Sequence, residues 1–352
     1  MLLLERGSLA DGSTRRSQGL LLDPDLAEMR PLADRSSTLY DQIAETSGID
    51  TALDPEPIGT LFLAASQAQL ELLREMEGEL LDRDGVLGVE PAITPTVTGG
   101  LLIEAGRRSD PAALTAAAAE LARRAGAEVR CQAEVRRIGH GGVATDAGPE
   151  RAGTIVLAAG AWSRSLAAQA GHDLPVRPVR GWLAITAPGP PLLSHIVYEA
   201  DYSLPPGPQP GGPVTLADLA GGALATEGPR AALAMAAHQN HDGSIMVGAS
   251  RSPALREGDE SARALRDVAA RACHMVPALA EREVATTWSG LRPFSADGLP
   301  YIGRLEPWLV VCAGHGSEGV LAGAGSGQLA AELTLGLEPF TDPTPFSPQR
   351  AG

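Results

Sequence analysis

The sequence predicts a mixed α/β fold in two domains, with an antiparallel sheet inserted into a domain of alternating strands and helices. A length of 352 residues corresponds to two domains at roughly 150 residues each. A buried strand, Trp308 to Ala313, runs into the glycine-rich loop Gly314–Gly319 and then into a helix, which suits a bound anion or an electron-rich ring. From Pro175 onward the pattern becomes rich in strands, as expected of an antiparallel sheet.

The first segment, Met1 to Gly7, is predicted to be a short buried strand that ends in an acid, Glu5. In dinucleotide-binding folds an acid at the end of the second strand holds the ribose hydroxyls, and an ordinary strand-end charge is the alternative. The strand, glycine turn and helix expected before it, roughly 30 residues, are not in this sequence. Three explanations stay open: a start codon assigned too late, a truncated piece, or a protein that has lost part of its cofactor site.

Helices and strands then alternate as far as residue 163. A small-residue turn, Gly12 to Gly19, carries two arginines that either face a phosphate or lie at the surface. Asp110 and Pro111 are expected to start a helix, as N-cap and first residue, that stops at Gly126. Periodicity and turn residues predict the remaining elements, namely a helix over 24–48 capped by Asp23, a strand over 59–65, a helix over 67–85 and strands over 99–104, 127–131, 133–138 and 154–163.

The second half of the chain is predicted to supply the inserted sheet. Strands are expected over 176–187, 195–202, 231–239 and 244–250, with Asp242-Gly243 as a hairpin turn. The Pro- and Gly-rich segment 203–230 is too long for a simple connection, which predicts a lid, an insertion or a mobile segment. A helix follows from about residue 260 to 275, and the irregular tail from Asp342 is expected to be poorly ordered.

The last helix carries Gly319, Gly323 and Gly327 at intervals of four residues, and Gly336 is expected to end it. Each glycine inside a helix costs about 1 kcal/mol relative to alanine. Three of them on one face therefore indicate that a flat group or another backbone packs there. Close packing of the helix on the sheet is the simpler alternative.

Composition excludes several classes of function. Hydrophobic residues make up 44% and charged residues 20%, which predicts a globular protein, and a net charge of −15 argues against nucleic acid or an anionic membrane surface. The sequence has no lysine, which rules out a Walker-A loop, a pyridoxal Schiff base and lysine catalysis. Three widely spaced cysteines suit neither a disulfide framework nor a zinc site and fit a reducing cytoplasm, and no apolar run is long enough for a membrane span.

Three motifs occur together and in order near the C-terminus: Gly290-Leu291-Arg292-Pro293, a tight reversal of the chain from Asp297 to Gly303, and the Gly314–Gly319 loop. Together with the small-residue strand end at 154–163, they resemble the signature of the FAD-dependent glycine/D-amino acid oxidase family. The resemblance implies a Rossmann-like FAD-binding domain over 1–54, 104–174 and 286–352 that is N-terminally incomplete. An antiparallel-sheet substrate domain over 55–103 and 175–285 would be inserted into it.

The same resemblance implies which residues hold FAD. It places Glu5 at the adenosine ribose, Val135 near the adenine and the backbone of Gly160 beside the flavin. For Val135, a purely structural role in the core of a strand is an equally good explanation. Arg15 and Ser17 lie in the segment that passes the pyrophosphate and the flavin. The glycine loop would contribute Gly314, His315, Gly316, Ser317, Glu318 and Gly319.

Arg292 is the main candidate for the catalytic site. Its planar guanidinium fork matches a carboxylate, and the resemblance makes it the anchor of an amino-acid carboxylate, with a structural ion pair as the alternative. Many relatives carry a second arginine in the glycine loop, where this sequence has Ser317 and Glu318, and Glu318 suits an amine or a cationic substrate. Tyr202 and His238 lie on predicted strands of the inserted sheet and either line the substrate pocket or pack in the core.

The predicted function is an FAD-dependent oxidoreductase that oxidises a small amino acid or secondary amine, of the glycine, sarcosine or D-amino acid type, to an imine. His315 is expected to shape the loop rather than act as a base, because a neutral amine can deliver its hydride to flavin without one. The electron acceptor would be oxygen, a quinone or a partner protein, and a homo-oligomer or a hetero-subunit complex is compatible with the sequence. The alternative is a non-catalytic or subunit-type flavoprotein-like fragment, and a nicotinamide dehydrogenase is a weaker third possibility.

Overall fold

The computed structural model describes residues 1–200, 232–253 and 263–351. Within these residues the α-helices are α1 Arg30–Ser47, α2 Gln67–Leu73, α3 Arg83–Val89, α4 Pro111–Arg124, α5 Ser163–Gln169, α6 Arg263–Met275 and α7 Gly319–Leu335. The first strands are β1 Leu2–Leu4, β2 Leu20–Leu21, β3 Thr60–Ala64, β4 Glu79–Asp82, β5 Gly99–Ile103, β6 Arg107–Arg108, β7 Glu128–Arg130, β8 Val135–Gly139 and β9 Gly142–Thr145. The remaining strands are β10 Gly148–Arg151, β11 Ile155–Leu157, β12 Arg177–Thr186, β13 Ile196–Glu199, β14 Ala232–Gln239, β15 Ile245–Pro253, β16 Val284–Phe294, β17 Tyr301–Glu306 and β18 Leu309–Ala313.

The chain divides into two compact units. Unit 1 contains Met1–Leu53, Ser109–Pro178 and Leu291–Gly352, whereas unit 2 contains Asp54–Arg108 and Val179–Gly290. The assignment of unit 1 to FAD and of unit 2 to substrate stays a prediction at this point.

Unit 1 combines short parallel strands with two long packed helices. Strand β1 runs parallel to β7, and β11 runs parallel to β18, whose other edge carries β17 as an antiparallel neighbour. Strands β8, β9 and β10 form an antiparallel meander. Residues of β18 and the strands beside it form one core cluster, which includes Leu157, Tyr301 and Val311. Helices α1 and α7 pack on each other along their lengths.

Unit 2 is built on one large sheet with the described strand order β16-β12-β15-β14-β13-β3-β5-β4. Helix α6 packs on β14 and β15, and Val268 of this helix is fully buried beside Met235 and Val247. The predicted α/β class is confirmed. The sheet is not purely antiparallel, however, because β13 runs parallel to β3. These two strands come from the two separate stretches of unit 2, so no tight hairpin forces them to be antiparallel.

The structure confirms several predicted helix ends. Asp110 caps α4, where its Oδ1 accepts hydrogen bonds from the amides of Ala112 and Ala113 at 2.8 and 3.2 Å. Helix α7 ends at Leu335, and Gly336 follows in the left-handed conformation with φ of 69°. These ends depend on local contacts, which is why the sequence alone predicts them.

Other predictions were wrong. The segment 67–85 is instead α2, strand β4 and the start of α3, because residues 79–82 pair with β5 in the large sheet. Asp23 does not cap the first helix but pairs with Arg30 at 2.6 Å. The tail is not irregular, since it forms 3-10 helices at Thr344–Phe346 and Pro348–Ala351. The predicted segment 203–230 lies outside the described residues.

The glycines of α7 serve helix packing rather than contact with a sheet. A Cβ on Gly325 would stand 2.4 Å from the Leu32 carbonyl oxygen of α1, and one on Gly323 would stand 3.2 Å from the Tyr40 hydroxyl. The Gly325 amide donates to Ser36 Oγ at 2.8 Å. Gly327 is exposed, and a Cβ there would meet no atom within 4 Å. Two glycines therefore let the helix backbones approach, and the regular spacing of four is not the reason for the contact.

We expect Gly325→Ala to lower the free energy of unfolding by about 1–3 kcal/mol, because backbone atoms of α1 would have to move. Gly327→Ala is the matched control in the same helix and should raise stability by about 0.5–1 kcal/mol through helix propensity. Urea unfolding followed by circular dichroism measures both. Equal effects of the two substitutions would contradict the packing described here.

Candidate functional site

The candidate site is organised around the last residues of β16. The Gly316 amide donates to the Pro293 carbonyl oxygen at 2.9 Å, and Phe294 forms a β-bridge with His315. From the N-terminal side, Ser13 Oγ donates to the Leu291 carbonyl oxygen at 2.5 Å. Unit 1 therefore brings together three segments that the sequence motifs named separately: the small-residue turn, the strand end that carries Arg292, and the glycine loop.

The glycine loop needs glycine where its backbone turns. Gly314 and Gly316 have φ of 92° and 55°, in the left-handed region that other residues avoid. A Cβ on Gly316 would stand 3.1 Å from the Phe294 ring, and one on Gly314 would stand 3.3 Å from the Tyr301 ring. The loop leads into α7, whose first turn has no side-chain cap. Its backbone amides and the positive end of the helix dipole are thus suited to a negatively charged or electron-rich group.

His315 is a neutral side chain with an unused hydrogen-bonding atom. Its Nε2 is buried and has no hydrogen-bond partner in the structure. Burial lowers the pKa of His315 to about 4, so the imidazole is uncharged at neutral pH. The predicted loop-shaping role agrees with its bridge to Phe294, and the free ring nitrogen offers one contact to a bound group.

The other residues of the loop differ in exposure and in their contacts. Glu318 Oε1 accepts a hydrogen bond from the Asp25 amide at 2.6 Å, so this carboxylate holds the loop that precedes α1. Ser317 and Gly319 are exposed. The predicted contact of Glu318 with a substrate amine therefore has to compete with a contact inside unit 1.

On the N-terminal side, Glu5 directly follows β1, and its Oε1 accepts a hydrogen bond from the Gly7 amide at 2.7 Å. Ser17 donates its hydroxyl to the Thr14 carbonyl oxygen, and Arg15 is exposed. The adjacent Gln18 was not predicted as a site residue, although its Nε2 is buried without a hydrogen-bond partner. Its place at the end of the small-residue turn was the only available signal, since burial of the amide becomes visible only in the folded chain.

Val135 and Gly160, which the family resemblance placed near the adenine and the flavin, both lie in unit 1. Val135 starts β8 and packs against the core of unit 1, which agrees with its alternative role as strand core. Gly160 has φ of 53°, and a Cβ there would meet no atom within 4 Å, so the space beside this backbone is open. Open space at a left-handed glycine is compatible with close approach of a cofactor.

Two predicted substrate residues belong to unit 2. His238 is only 1% exposed, and burial, reinforced by the charge of Arg108, lowers the pKa of its imidazole to about 4. Such burial favours the packing alternative over contact with a substrate. Tyr202 lies outside the described residues. Arg292, on β16, is half-buried.

Residues 1–200, 232–253 and 263–351 contain neither a metal-binding cluster nor a membrane-spanning helix. No group of three His, Cys, Asp or Glu side chains in these ranges could hold a metal ion. No helix in the same ranges has the length and apolarity needed to cross a membrane.

The sequence model of the DAO family, described as FAD dependent oxidoreductase, matches residues 1–333. The chain belongs to this family. The match confirms the resemblance inferred from the motifs, and with it FAD as the cofactor.

Individual relatives extend this result. A glycine oxidase of Pseudomonas putida is 30% identical over 211 residues, which cover 59% of this chain and 48% of that enzyme, so this match spans about half of the relative's length. A D-amino acid dehydrogenase of Bradyrhizobium diazoefficiens is 30% identical over 339 residues, covering 90% of this chain and 72% of the relative. The crystal structure of glycine oxidase from Geobacillus kaustophilus matches with a TM-score of 0.82 at 26% identity, covering 98% of this chain and 90% of that one.

The residues of unit 1 fit FAD. The buried nitrogens of Gln18 and His315 lack protein partners, and a buried polar group without a partner costs about 1–3 kcal/mol. A cofactor rich in acceptors and donors would satisfy them. The uncapped start of α7 and the open space at Gly160 add backbone amides and room for a flat ring.

We expect the buried His315 to make the protein sensitive to acid. Because its pKa is about 4 in the folded state and about 6.5 in an unfolded chain, the unfolded state binds a proton first as the pH falls. The free energy of unfolding should therefore decrease from about pH 6.5 to about pH 4, by up to about 1.4 kcal/mol per unit of pKa difference. Urea unfolding at several pH values measures this decrease.

In His315→Gln the free energy of unfolding should fall less steeply as the pH decreases. Glutamine keeps a hydrogen-bonding side chain but does not titrate. The exposed His274 provides a control, since His274→Gln should leave the slope as in the wild type. An unchanged slope in His315→Gln would show that this imidazole is not held neutral by burial.

Proposed function

We propose that the protein is an FAD-dependent oxidase or dehydrogenase of a small amino acid or secondary amine, of the glycine, sarcosine or D-amino acid type. Unit 1 would be the FAD-binding domain and unit 2 the substrate domain. The observation that carries the proposal is the direct backbone contact between the strand end at Pro293 and the glycine loop at Gly316, which sets Arg292 next to the loop. The similarity to a glycine oxidase and a D-amino acid dehydrogenase supports the substrate class.

Each element of unit 1 has a role in this proposal. Glu5, whose Oε1 accepts from the Gly7 amide, would accept hydrogen bonds from the ribose hydroxyls. Gln18 and His315 would use their buried nitrogens on the cofactor. The start of α7 would stabilise negative charge that develops when the ring is reduced. Bound FAD supplies the hydride acceptor, so that the substrate amine becomes an imine, which water then hydrolyses.

Arg292 would hold the substrate by its carboxylate, through two parallel N–H donors of the guanidinium. This contact fixes which C–H bond of the substrate faces the acceptor, and orientation of this kind accounts for much of catalysis. Since the Glu318 carboxylate already binds the Asp25 amide, Arg292 carries more of the substrate recognition than Glu318 does in this proposal. The neutral His315 adds no second positive charge that would compete with Arg292 for the carboxylate.

The electron acceptor is part of the same proposal. Oxygen, a quinone or a partner protein would each accept electrons from reduced flavin, and the relatives include both an oxidase and a dehydrogenase by name. Hydrogen peroxide production in air, compared with reduction of a quinone analogue under nitrogen, separates these acceptors.

The proposal predicts that the protein incubated with FAD and then desalted is yellow. Its flavin absorption should bleach anaerobically on addition of glycine, sarcosine or a D-amino acid, because these amines donate a hydride. An L-amino acid with a large side chain serves as the control. A yellow protein that none of these amines bleaches would support the non-catalytic alternative.

Arg292→Ala should raise the KM for the substrate about a hundredfold, the size expected when one partner of a charged, hydrogen-bonded pair is removed. Arg292→Lys should restore this loss only in part, because an ammonium lacks the planar fork. Flavin content, read from the absorption spectrum, should stay as in the wild type. Arg164→Ala is the control, since Arg164 pairs with Asp173 at the surface of unit 1. A KM unchanged in Arg292→Ala would exclude the carboxylate role.

A further inference from the structure

Arg350 in the C-terminal segment directs most of its guanidinium N–H donors at the short loop from Asp297 to Pro300. Its Nε donates to Asp297 Oδ2 at 2.6 Å, and its Nη2 donates to Asp297 Oδ1 at 3.1 Å and to the Leu299 carbonyl oxygen at 2.5 Å. Its Nη1 donates to the carbonyl oxygens of Pro300 and Ser347 at 3.1 and 3.0 Å. A guanidinium has five N–H donors, and all five are used. Because every donor has an acceptor, the Arg350 side chain is held in one defined position.

The contact also includes an aromatic ring. The Arg350 guanidinium carbon lies 4.1 Å from the centroid of the Tyr301 ring, within the range of a cation–π interaction. The Arg350 side chain is 17% exposed, and Tyr301 is 1% exposed. Burial raises the pKa of the Asp297 carboxyl, but the hydrogen bonds from Arg350 outweigh it, so the net pKa lies below its ordinary value. Asp297 is therefore an anion at neutral pH, paired with the cation above Tyr301.

The rest of the C-terminal segment follows strand β17. Phe346 is buried in a core cluster with Met29 and Ile302. Pro348 lies against Gly303, where an added Cβ would stand 2.8 Å from the proline ring. Gln349 Nε2 donates to the Arg304 carbonyl oxygen at 2.7 Å. The C-terminal segment thus lies on the chain reversal from Asp297 to Gly303. The sequence motif alone assigned no role to this reversal.

Tyr301 connects this contact to the glycine loop. It pairs with Ala313 in the β17–β18 ladder, immediately before Gly314. Its ring is also the nearest neighbour of a Cβ built on Gly314, at 3.3 Å. One face of the loop therefore rests on the ring that Arg350 covers. Movement of Tyr301 would displace the point at which the loop leaves β18.

We propose that Arg350 is a positioning residue for the glycine loop: it holds the segment from Asp297 to Tyr301, and through the Tyr301 ring it fixes where Gly314–Gly319 begins. The inference rests on the proposed function in one respect, because the loop matters for catalysis only if it holds FAD. The positioning itself is a property of the protein without cofactor and is measured there.

The first test is hydrogen exchange by mass spectrometry on the protein without added FAD. Arg350→Ala should speed exchange about tenfold or more at the amides of Gly316 and Glu318, which are hydrogen-bonded to Pro293 and His315. Arg304→Ala is the matched control. Arg304 lies on β17, the strand that carries Tyr301, and it donates to three backbone carbonyl oxygens away from the glycine loop, those of Pro307, Leu333 and Thr334. This substitution should lower the melting temperature but leave loop exchange within about twofold.

The second test is the dissociation constant for FAD, measured by quenching of flavin fluorescence. Arg350→Ala should weaken FAD binding about tenfold, and Arg350→Lys should recover part of it because the positive charge over Tyr301 returns. Asp297→Asn, which keeps the shape of the loop, provides a second variant should Arg350→Ala fold poorly, and should weaken binding by a smaller factor. Arg304→Ala should bind FAD as the wild type does.

The outcomes separate the two proposals. Equal rates of hydrogen exchange at the loop amides in Arg350→Ala and Arg304→Ala would overturn the positioning role, even if the two variants differ in enzymatic activity. Faster loop exchange in Arg350→Ala alone, in a protein whose wild type binds no FAD, would support the positioning role and refute the proposed function. Faster exchange with an unchanged FAD dissociation constant would overturn the link between Arg350 and the cofactor.

Discussion

The hydrogen bond from the Gly316 amide to the Pro293 carbonyl oxygen is the contact on which the candidate site depends. It joins the end of a long strand, which carries Arg292, to the loop that starts α7. Both partners are backbone atoms, so the contact depends on the shape of the chain rather than on a replaceable side chain. The left-handed φ of Gly316 and the nearby Phe294 ring, which leaves little room for a side chain at residue 316, set that shape. An arginine and a helix start, far apart in sequence, become neighbours for this reason.

Glycines in this region perform two different tasks. Gly314 and Gly316 allow the loop to turn, whereas Gly323 and Gly325 let α7 approach α1 until backbone and hydroxyl oxygens touch the helix. The second task supports the first, because a helix held along its length presents its N-terminus in one place. Helix α7 is thus positioned by α1 at one side and by β17 and β18 at the other.

Unit 1 also leaves polar atoms without partners in its interior. The nitrogens of Gln18 and His315 are buried and unpaired, which opposes folding in the absence of a ligand. Proteins tolerate such groups where binding restores the missing hydrogen bonds. The chain belongs to an FAD-dependent family, and under the proposed function bound FAD would supply the hydrogen-bond partners that these two nitrogens lack.

The fold class, the caps of α4 and α7 and the motifs of the family were predictable from the sequence, because each depends on neighbouring residues or on short fixed spacings. Asp110 binds amides two and three residues away, and Gly336 ends its helix through its own conformation. Three other features became visible only in the folded chain: β4 replaces part of a predicted helix, Gly325 meets α1, and Arg350 covers Tyr301. Those outcomes depend on contacts between segments distant in the chain, whose free energies no local pattern records.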